Sequence, residues 1–172
     1  MKISKVRDVK TPLRGTPASA GLDFFVPNDF NEVKLAPQRD LLIPSGIKAA
    51  VPEGFMLMAA EKSGVVTSRN AAIVAGRTPK STAYDSIIIL GAKIVDEDYQ
   101  GEIHIHLINV GDAPVIIRPG TKISQFILVP VLYDDVEVVP EEQLFSETTK
   151  RGDGGFGSTD KNEIEPIESE AL

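Results

Sequence analysis

Apolar and polar residues alternate over short distances along much of this chain. The clearest case runs from Ile103 to Leu107, where the odd-numbered positions are aliphatic and the even-numbered ones are His104 and His106. This is the two-residue period of a β-strand. Other short apolar runs recur at intervals of roughly 8–12 residues, as in barrels and sandwiches. With 12 prolines and 14 glycines at short spacing, the pattern predicts an all-β domain and not long helices.

The segment from Gly91 to Asn109 is predicted to form a β-hairpin. An apolar, β-branched run (86–90) enters it, and the alternating run leaves it. Between the two runs lie three consecutive acids, a tyrosine and a glycine, which are typical turn residues. An acid such as Asp96 at the mouth of a rigid hairpin, with Tyr99 three residues later, could activate a water molecule beside a stacked base.

The composition is that of an ordinary globular domain. The chain has 172 residues, of which 42% are hydrophobic and 25% are charged, so we expect one domain with its own core. The formal net charge of -7 argues against binding to duplex nucleic acid, which requires clustered cations. A nucleotide site with a few local cations remains compatible with it. The absence of cysteine excludes a disulfide framework and a thiolate zinc site.

Two further features concern location. Residues 1–7 lack the apolar core of a signal peptide. No apolar run approaches the ~18 residues of a membrane span. We therefore expect a cytoplasmic protein that does not contact membranes.

A glycine-rich segment near the end of the chain combines several groups that suit a triphosphate. It starts with Arg151, carries Phe156 in its middle and ends with Ser158 and Thr159. Arginine, glycine amides and hydroxyl groups bind phosphate oxygens, and an aromatic ring can cover a base. The segment is not a P-loop, because no Gly-Lys-Ser/Thr follows at the required spacing. The acidic stretch 160–172 is predicted to be disordered.

Isolated polar residues elsewhere allow two interpretations each. Asp23 lies in an apolar strand, either as an acid bonded to loop amides or as a functional group. Gln125 interrupts another apolar strand and needs partners if it points inward. His104 and His106 would share one face and suggest a metal site, but without an evident carboxylate partner a structural role is favoured.

The chain closely resembles the trimeric dUTPase family from about Lys5 to Thr159. Two of the segments that carry the resemblance, Gly91–Glu102 and Arg151–Thr159, are specific to the family. The others support the resemblance through their order and context. The five segments, in the family's order, are Ala18–Asp23, Lys62–Gly64, Gly91–Glu102, Pro119–Gln125 and Arg151–Thr159.

The resemblance implies a β-jelly-roll barrel that assembles as a homotrimer, with sites between subunits closed by the glycine-rich segment. It implies hydrolysis of dUTP to dUMP and pyrophosphate, with Mg²⁺ on the triphosphate. The expected organisation is a barrel domain at 1–145 with an inserted loop at about 67–85, a lid at 146–159 and a disordered acidic tail at 160–172.

The resemblance also implies a role for each matching residue. Asp96 would be the general base that orients water for attack on the α-phosphorus, and Tyr99 would lie under the deoxyribose. Asp23 would reach metal-bound water. Backbone contacts to the uracil edge are implied for Gly91, Ala92, Lys93 and His104. Phosphate contacts are implied for Lys62, Ser63, Gly64 and Gln125, and lid contacts for Arg151, Phe156, Gly157, Ser158 and Thr159.

Several positions depart from the family pattern. Glu61 and Lys62 stand where Pro-Arg is usual, Lys122 replaces an arginine, and Lys93 stands where glycine is common. Lysine keeps the charge of arginine but loses its planar fork, and Glu61 brings a negative charge towards the expected phosphates. The insertion at 67–85 lengthens the spacing between the second and third segments. These departures leave the reaction rate and the base selectivity open.

Two alternatives to a dUTP hydrolase remain. One is a same-fold enzyme acting on dCTP or on a modified deoxyuridine triphosphate, which Lys93 keeps open. The other is a nucleotide-responsive binding protein whose insertion at 67–85, basic through Arg69, Arg77 and Lys80, contacts a protein partner. A plain surface loop is the simpler interpretation of that insertion. Asp96 argues against a purely binding role, because binding alone does not need a positioned base.

Overall fold

The computed structural model describes residues 1–66 and 87–155, and the contacts divide the chain into two units, Met1–Tyr133 and Asp134–Leu172. The insertion at 67–85, the lid residues 156–159 and the tail 160–172 lie outside the described residues. The described part contains one short helix in each unit, α1 (Ser63–Val66) and α2 (Glu141–Leu144). The strands are β1 (Lys2–Lys5), β2 (Gly21–Phe25), β3 (Val33–Leu35), β4 (Arg39–Pro44), β5 (Ile47–Ala50), β6 (Phe55–Ala60), β7 (Ile88–Leu90), β8 (Ile94–Val95), β9 (His104–Asn109), β10 (Val115–Ile117) and β11 (Lys122–Pro130).

The strands of the first unit form antiparallel sheets. The largest has four strands in the order β2-β11-β6-β8, and a second has three in the order β4-β9-β7. Two further pairs, β1-β5 and β3-β10, complete the described strands. The predicted all-β class is therefore confirmed. No helix among the described residues is long and apolar enough to cross a membrane.

The core of this unit is aliphatic with a small aromatic centre. Phe24 on β2 and Phe126 on β11 lie with their ring centroids 4.4 Å apart, and both side chains are almost fully buried. The predicted alternation along β9 is confirmed, because Ile105 and Leu107 are buried while His104 is exposed. In strands such as β9, the burial of one face thus fixes the register of the sheet.

The segment from β7 to β9 is more than the hairpin that the sequence predicts. Strands β7 and β9 do pair antiparallel, with Leu90 opposite Leu107. Between them, however, β8 leaves this sheet and pairs with Leu57 and Met58 of β6 in the four-stranded sheet. The segment therefore bridges two sheets, and its central residues are fixed by β6 as well as by their own turn.

No strand follows β11 in the described residues. The apolar alternation in 131–139 predicts a last strand, but β11 ends at Pro130 and no strand follows in the described residues. Leu132 is 96% exposed, and Val136 and Val138 are each 93% exposed. An extended apolar segment forms a strand only where a partner edge is available, and no edge within the described chain pairs with this one.

Ser124 on β11 is a buried polar residue whose hydroxyl has no hydrogen-bond partner among the described residues. Replacing it with alanine removes a desolvated hydroxyl and keeps the backbone pairing. We therefore expect Ser124→Ala to raise the free energy of unfolding by about 1 kcal/mol. Urea unfolding at a fixed protein concentration measures this change.

Ser45 provides the matched control. Its side chain is also fully buried, but its hydroxyl oxygen accepts a hydrogen bond of 3.2 Å from the Ile47 amide. Ser45→Ala should therefore lower the free energy of unfolding by about 1 kcal/mol. Equal destabilisation by both substitutions would show that the Ser124 hydroxyl does have a partner.

Candidate active site

The bridging segment between β7 and β9 forms one wall of a cleft of about 180 Å³. This cleft brings together five of the residues that the resemblance assigns to the site: Ala92, Lys93, Asp96, Tyr99 and His104. Its remaining lining is largely apolar and includes Leu42, Ile103 and Phe126. A half-apolar cleft with a few polar groups is the usual form of a small-molecule site.

The three consecutive acids of this segment have different surroundings. Glu97 is engaged by the protein, because its Oε2 accepts a 2.6 Å hydrogen bond from the Gly54 amide. That amide belongs to a turn where Gly54 has φ 76°, a conformation that favours glycine. Asp96 is exposed and lines the cleft, whereas Asp98 is exposed and does not line it. Of the three acids, Asp96 is therefore the one that lines the cleft.

Tyr99 is fixed in place by its own turn. Its hydroxyl donates to the Glu102 carbonyl over 3.0 Å, and its amide donates to the Asp96 carbonyl over 3.2 Å. A Cβ atom at Gly101 would collide with the Tyr99 hydroxyl oxygen, so the ring can adopt this position only beside glycine. The turn thus sets the distance between the Asp96 carboxylate and the Tyr99 ring.

His106 supports the backbone of the same segment, a role that the sequence did not reveal. Its Nδ1 accepts a hydrogen bond of 3.2 Å from the Ala92 amide, and its Nε2 lies 3.0 Å from Asp40 Oδ2. This pairing requires the proton on Nε2. A Cβ at Gly91 would collide with Nδ1, which explains the glycine there. Asp40 is the carboxylate partner that was not evident in the sequence, since it lies 66 residues away.

The other histidine makes a local contact. His104 Nδ1 lies 2.8 Å from the Glu102 carbonyl oxygen and donates to it. No group of three or more His, Asp or Glu side chains that could hold a metal occurs within the described ranges. The structural interpretation of His104 and His106 is therefore the one that these contacts support.

Asp23 lies at the centre of a charge cluster that we call the Asp23 cluster, made of Asp23, Lys62 and Lys122. Lys62 Nζ donates to Oδ1 of the buried carboxylate, and Lys122 Nζ lies 2.8 Å from Oδ2. Burial raises the pKa of Asp23, but the hydrogen bonds and charges of Lys122 and Lys62 outweigh it and leave the pKa below its ordinary value. Both lysines stand where the family usually has arginine.

Glu61 and Lys93, two other departures from the family pattern, also pair with each other. Lys93 Nζ lies 2.6 Å from Glu61 Oε1, and the Leu90 amide donates to the same oxygen over 3.2 Å. Burial raises the pKa of Glu61, but these bonds outweigh it and lower the pKa below its ordinary value. Glu61 is therefore a paired carboxylate and not an isolated charge.

The remaining predicted site residues are spread over other elements. Gln125 is half-buried on β11, and its Nε2 donates to the Glu61 carbonyl over 3.0 Å. Ser63 and Gly64 begin α1 directly after Lys62. Arg151 belongs to the second unit, where its Nε donates to the Gly154 carbonyl over 2.8 Å. Phe156, Gly157, Ser158 and Thr159 lie outside the described residues.

Magnesium takes several oxygen ligands in octahedral geometry. Asp23, the acid expected to reach metal-bound water, has both oxygens bonded to ammonium groups. No other cluster of acids among the described residues replaces it. These side chains therefore do not fit a magnesium ion that the protein itself holds in this arrangement.

A sequence model of the dUTPase family matches residues 7–160 of the chain. The chain belongs to the dUTPase family. The matched range includes all five segments on which the resemblance rests.

Two relatives show how far this similarity extends. The chain is 35% identical over 158 residues to a deoxyuridine 5'-triphosphate nucleotidohydrolase of Hydrogenobaculum sp., covering 91% of this chain and 95% of the relative. It is 37% identical over 144 residues to the enzyme of the same name from Chlamydia pneumoniae, covering 84% and 86%. The family similarity thus spans nearly the whole of each relative.

Solved structures agree with the fold. A Staphylococcus bacteriophage 80alpha dUTPase variant with dUpNHpp gives a TM-score of 0.69 at 19% identity, covering 91% of this chain and 96% of that chain. A mutant dUTPase from phage phi11 of S. aureus, described with a structural Mg(II) ion, gives a TM-score of 0.63 at 19% identity, covering 81% of this chain and 96% of that chain. The predicted dUTPase-like jelly-roll barrel is therefore confirmed.

The Asp23 cluster makes stability depend on pH in a defined direction. The folded-state pKa of Asp23 lies below the unfolded value of roughly 3.9, so its stabilisation is complete above that value and is lost as the pH falls through the folded-state pKa. Asp23→Asn leaves two ammonium groups facing each other and should lower the free energy of unfolding at pH 7 by about 1–2 kcal/mol, because both lysines are partly exposed.

Chemical unfolding of the wild type and of Asp23→Asn between about pH 7 and pH 3 measures this dependence. The difference between the two proteins should shrink as the pH falls. Asp29→Asn, which breaks the exposed 3.7 Å pair with Arg7, serves as the control and should change stability by less than about 0.5 kcal/mol. A pH-independent loss in Asp23→Asn would contradict the electrostatic origin.

Proposed function

We propose that this protein hydrolyses dUTP to dUMP and pyrophosphate, with Asp96 as the general base. The observation that carries the proposal is the placement of Asp96 and Tyr99 on one cleft wall, beside the backbone of residues 92–95, in a chain of the dUTPase family. A carboxylate next to an aromatic ring and a set of backbone polar groups suits a water-activating site beside a base and its sugar.

The chemical step follows from this placement. The Asp96 carboxylate takes a proton from a water molecule as the water oxygen forms a bond to the α-phosphorus. The bond between the α-phosphorus and the oxygen that bridges to the β-phosphorus then breaks, and pyrophosphate leaves with the bonding electrons. Tyr99, which its hydrogen bond to Glu102 keeps in position, supports the deoxyribose, where a 2′-hydroxyl would collide.

The phosphates require positive charge, which the Asp23 cluster supplies in part. Lys62 and Lys122 carry two positive charges against one carboxylate, so the cluster keeps a net charge of about +1. Their side chains are 24% and 41% exposed, so they remain accessible to an anion. Ser63, Gly64 and Gln125 complete the proposed phosphate contacts, with Arg151, Phe156, Gly157, Ser158 and Thr159 as the proposed lid.

Magnesium enters this proposal as part of the substrate. A divalent ion that bridges phosphate oxygens keeps most of its ligands as water and phosphate, and needs few protein groups. The described side chains offer no cage for it, so the metal–triphosphate complex is the species that we expect to bind.

The protein is also proposed to act as a homotrimer. The first unit exposes Leu42 and Ile94, at 55% and 53%, beside the cleft that they help to line. In the second unit, Val136 and Val138 are almost fully exposed. Apolar side chains with this exposure are typical of surfaces covered by a partner, and further copies of the chain would cover them in a trimer.

A second candidate function concerns the insertion at 67–85. The structure of the phage 80alpha dUTPase variant is described with the statement that phage dUTPases control transfer of virulence genes by a proto-oncogenic G protein-like mechanism. By analogy, the basic composition of the insertion, with Arg69, Arg77 and Lys80 in an acidic chain, supports a contact with a protein partner. The insertion would then add a regulatory role to the hydrolase.

Replacing Asp96 by asparagine tests the catalytic proposal. The amide cannot accept the proton of the attacking water, so kcat for dUTP should fall by roughly 10²–10⁴-fold, while dUTP binding changes by less than about threefold. Pyrophosphate release from dUTP, dCTP, dTTP and UTP, with and without Mg²⁺, gives the rates. Calorimetry gives the affinity.

Asp98→Asn is the matched control, because Asp98 is an exposed acid two residues away that does not line the cleft. It should keep kcat within about twofold of the wild type. If Asp96→Asn lost binding and turnover to the same extent, the residue would be a binding group and not the base. Faster release from dCTP than from dUTP would favour the alternative substrate.

Deleting residues 67–85 separates the two functions. If the insertion serves a partner, the shortened protein should retain kcat and KM for dUTP within about twofold, because loops tolerate such changes when the scaffold stays intact. Circular dichroism confirms the fold. Loss of turnover in a folded deletion variant would contradict the partner role and assign the insertion to the active site.

A further inference from the structure

Glu61 lies where three parts of the proposed site meet. It precedes residues 62–64, which we call the phosphate segment. Its side chain contacts the Leu90 amide, directly before residues 91–95, and the Lys93 ammonium group within them. We call residues 91–95 the base-reading loop. Its carbonyl accepts the hydrogen bond from Gln125 on β11. Neither the Glu61 carboxylate nor the Lys93 ammonium group has a role in the proposed reaction.

The geometry joins the two segments by side chain and by backbone. A single carboxylate oxygen of Glu61 receives both Lys93 Nζ at 2.6 Å and the Leu90 amide at 3.2 Å. Beside it, the Ala59 amide donates to the Lys93 carbonyl over 2.7 Å. Lys93 thus links the base-reading loop to the end of β6 through two groups, its ammonium group and its backbone carbonyl.

We propose that Glu61 and Lys93 are positioning residues that hold the base-reading loop against the phosphate segment. Their ion pair also neutralises the carboxylate that stands next to the triphosphate site. This inference rests on the proposed function, because it assigns the pair to the binding of the same substrate. Lys93 acts through Glu61 in this arrangement and needs no contact of its side chain with the base.

The two residues should not respond equally to substitution. Lys93→Met leaves Glu61 as an unpaired negative charge beside the phosphate segment, where it repels the triphosphate. Glu61→Gln removes that charge, and its amide oxygen can still accept the hydrogen bond from the Leu90 amide. The loss of Lys93 should therefore be more harmful while the Glu61 charge is present.

This asymmetry gives a double-mutant cycle with a defined sign. We expect Lys93→Met to raise KM for dUTP roughly three- to fivefold, the scale of a half-exposed ion pair, with kcat within about twofold. Glu61→Gln should raise KM by less than about twofold, because its amide oxygen can still accept from Lys93 and from the Leu90 amide. The double variant should lie between the two single variants, because it loses the link to Lys93 but leaves no unpaired charge, so that the second substitution partly rescues the first. Raising the salt concentration should reduce the effect of Lys93→Met.

A matched control is available in a second ion pair. Arg118 Nε lies 2.6 Å from Glu32 Oε2, and both side chains are similarly exposed. Neither residue lines the cleft, so Glu32→Gln, which breaks this equally short pair, should leave KM and kcat unchanged. Additive effects of the two site substitutions, or an unchanged KM in Lys93→Met, would overturn the proposal.

Hydrogen exchange provides a readout that does not depend on activity. If the pair holds the base-reading loop, amides in 90–95 should exchange faster in Lys93→Met than in the wild type, while those of the β2–β11 pairing should not change. Unchanged exchange in 90–95 would overturn the positioning role. If the wild type released no pyrophosphate from dUTP, the proposed function would fail, and the exchange measurement alone would decide whether the pair holds the loop.

Discussion

The site depends first on the compensation of one buried carboxylate. A charged group inside an all-β barrel is costly unless it is paired and hydrogen-bonded. Asp23 satisfies this requirement through ammonium groups from two other parts of the chain, Lys62 after β6 and Lys122 at the start of β11. Strands β2, β11 and β6 are neighbours in one sheet, so the salt bridges of the Asp23 cluster have two effects. They compensate the burial of Asp23, and they hold Lys62 and Lys122 in the positions proposed for the phosphate contacts.

The departures from the family pattern form two compensated sets. Lys62 and Lys122 both bind Asp23, and Lys93 binds Glu61. An ammonium group makes point contacts where a guanidinium would offer a planar fork, and the two lysines accordingly take one carboxylate oxygen each. An unpaired Glu61 carboxylate would repel a triphosphate, but its pairing with Lys93 neutralises most of this charge.

The local pattern of apolar, polar and turn residues predicted those parts of the fold and site whose residues lie close together in the sequence. The alternation around Ile105 identified the buried face of β9, and the turn chemistry identified Asp96 and Tyr99 as neighbours. It could not predict that β8 leaves the hairpin for β6, because two residues carry too little pattern to select a sheet. Nor could it find the bond between His106 and Asp40 or between Lys62 and Asp23, whose partners lie 66 and 39 residues apart. Such pairs are set by sheet topology, which spacing does not reveal.

The charge distribution explains how an acidic protein can bind a polyanion. With a formal net charge of -7, the long-range field opposes the approach of a triphosphate, and at physiological salt it is screened within about 8 Å. Short-range cations therefore decide the binding. The cations proposed for this contact, Lys62 and Lys122, are already bonded to Asp23, so their positions are fixed before a ligand arrives and little side-chain entropy is lost on binding. The same pairing lowers the net attraction, because each phosphate oxygen must compete with an existing carboxylate partner. An arrangement of this kind favours a ligand that contacts several cations at once over a single free phosphate.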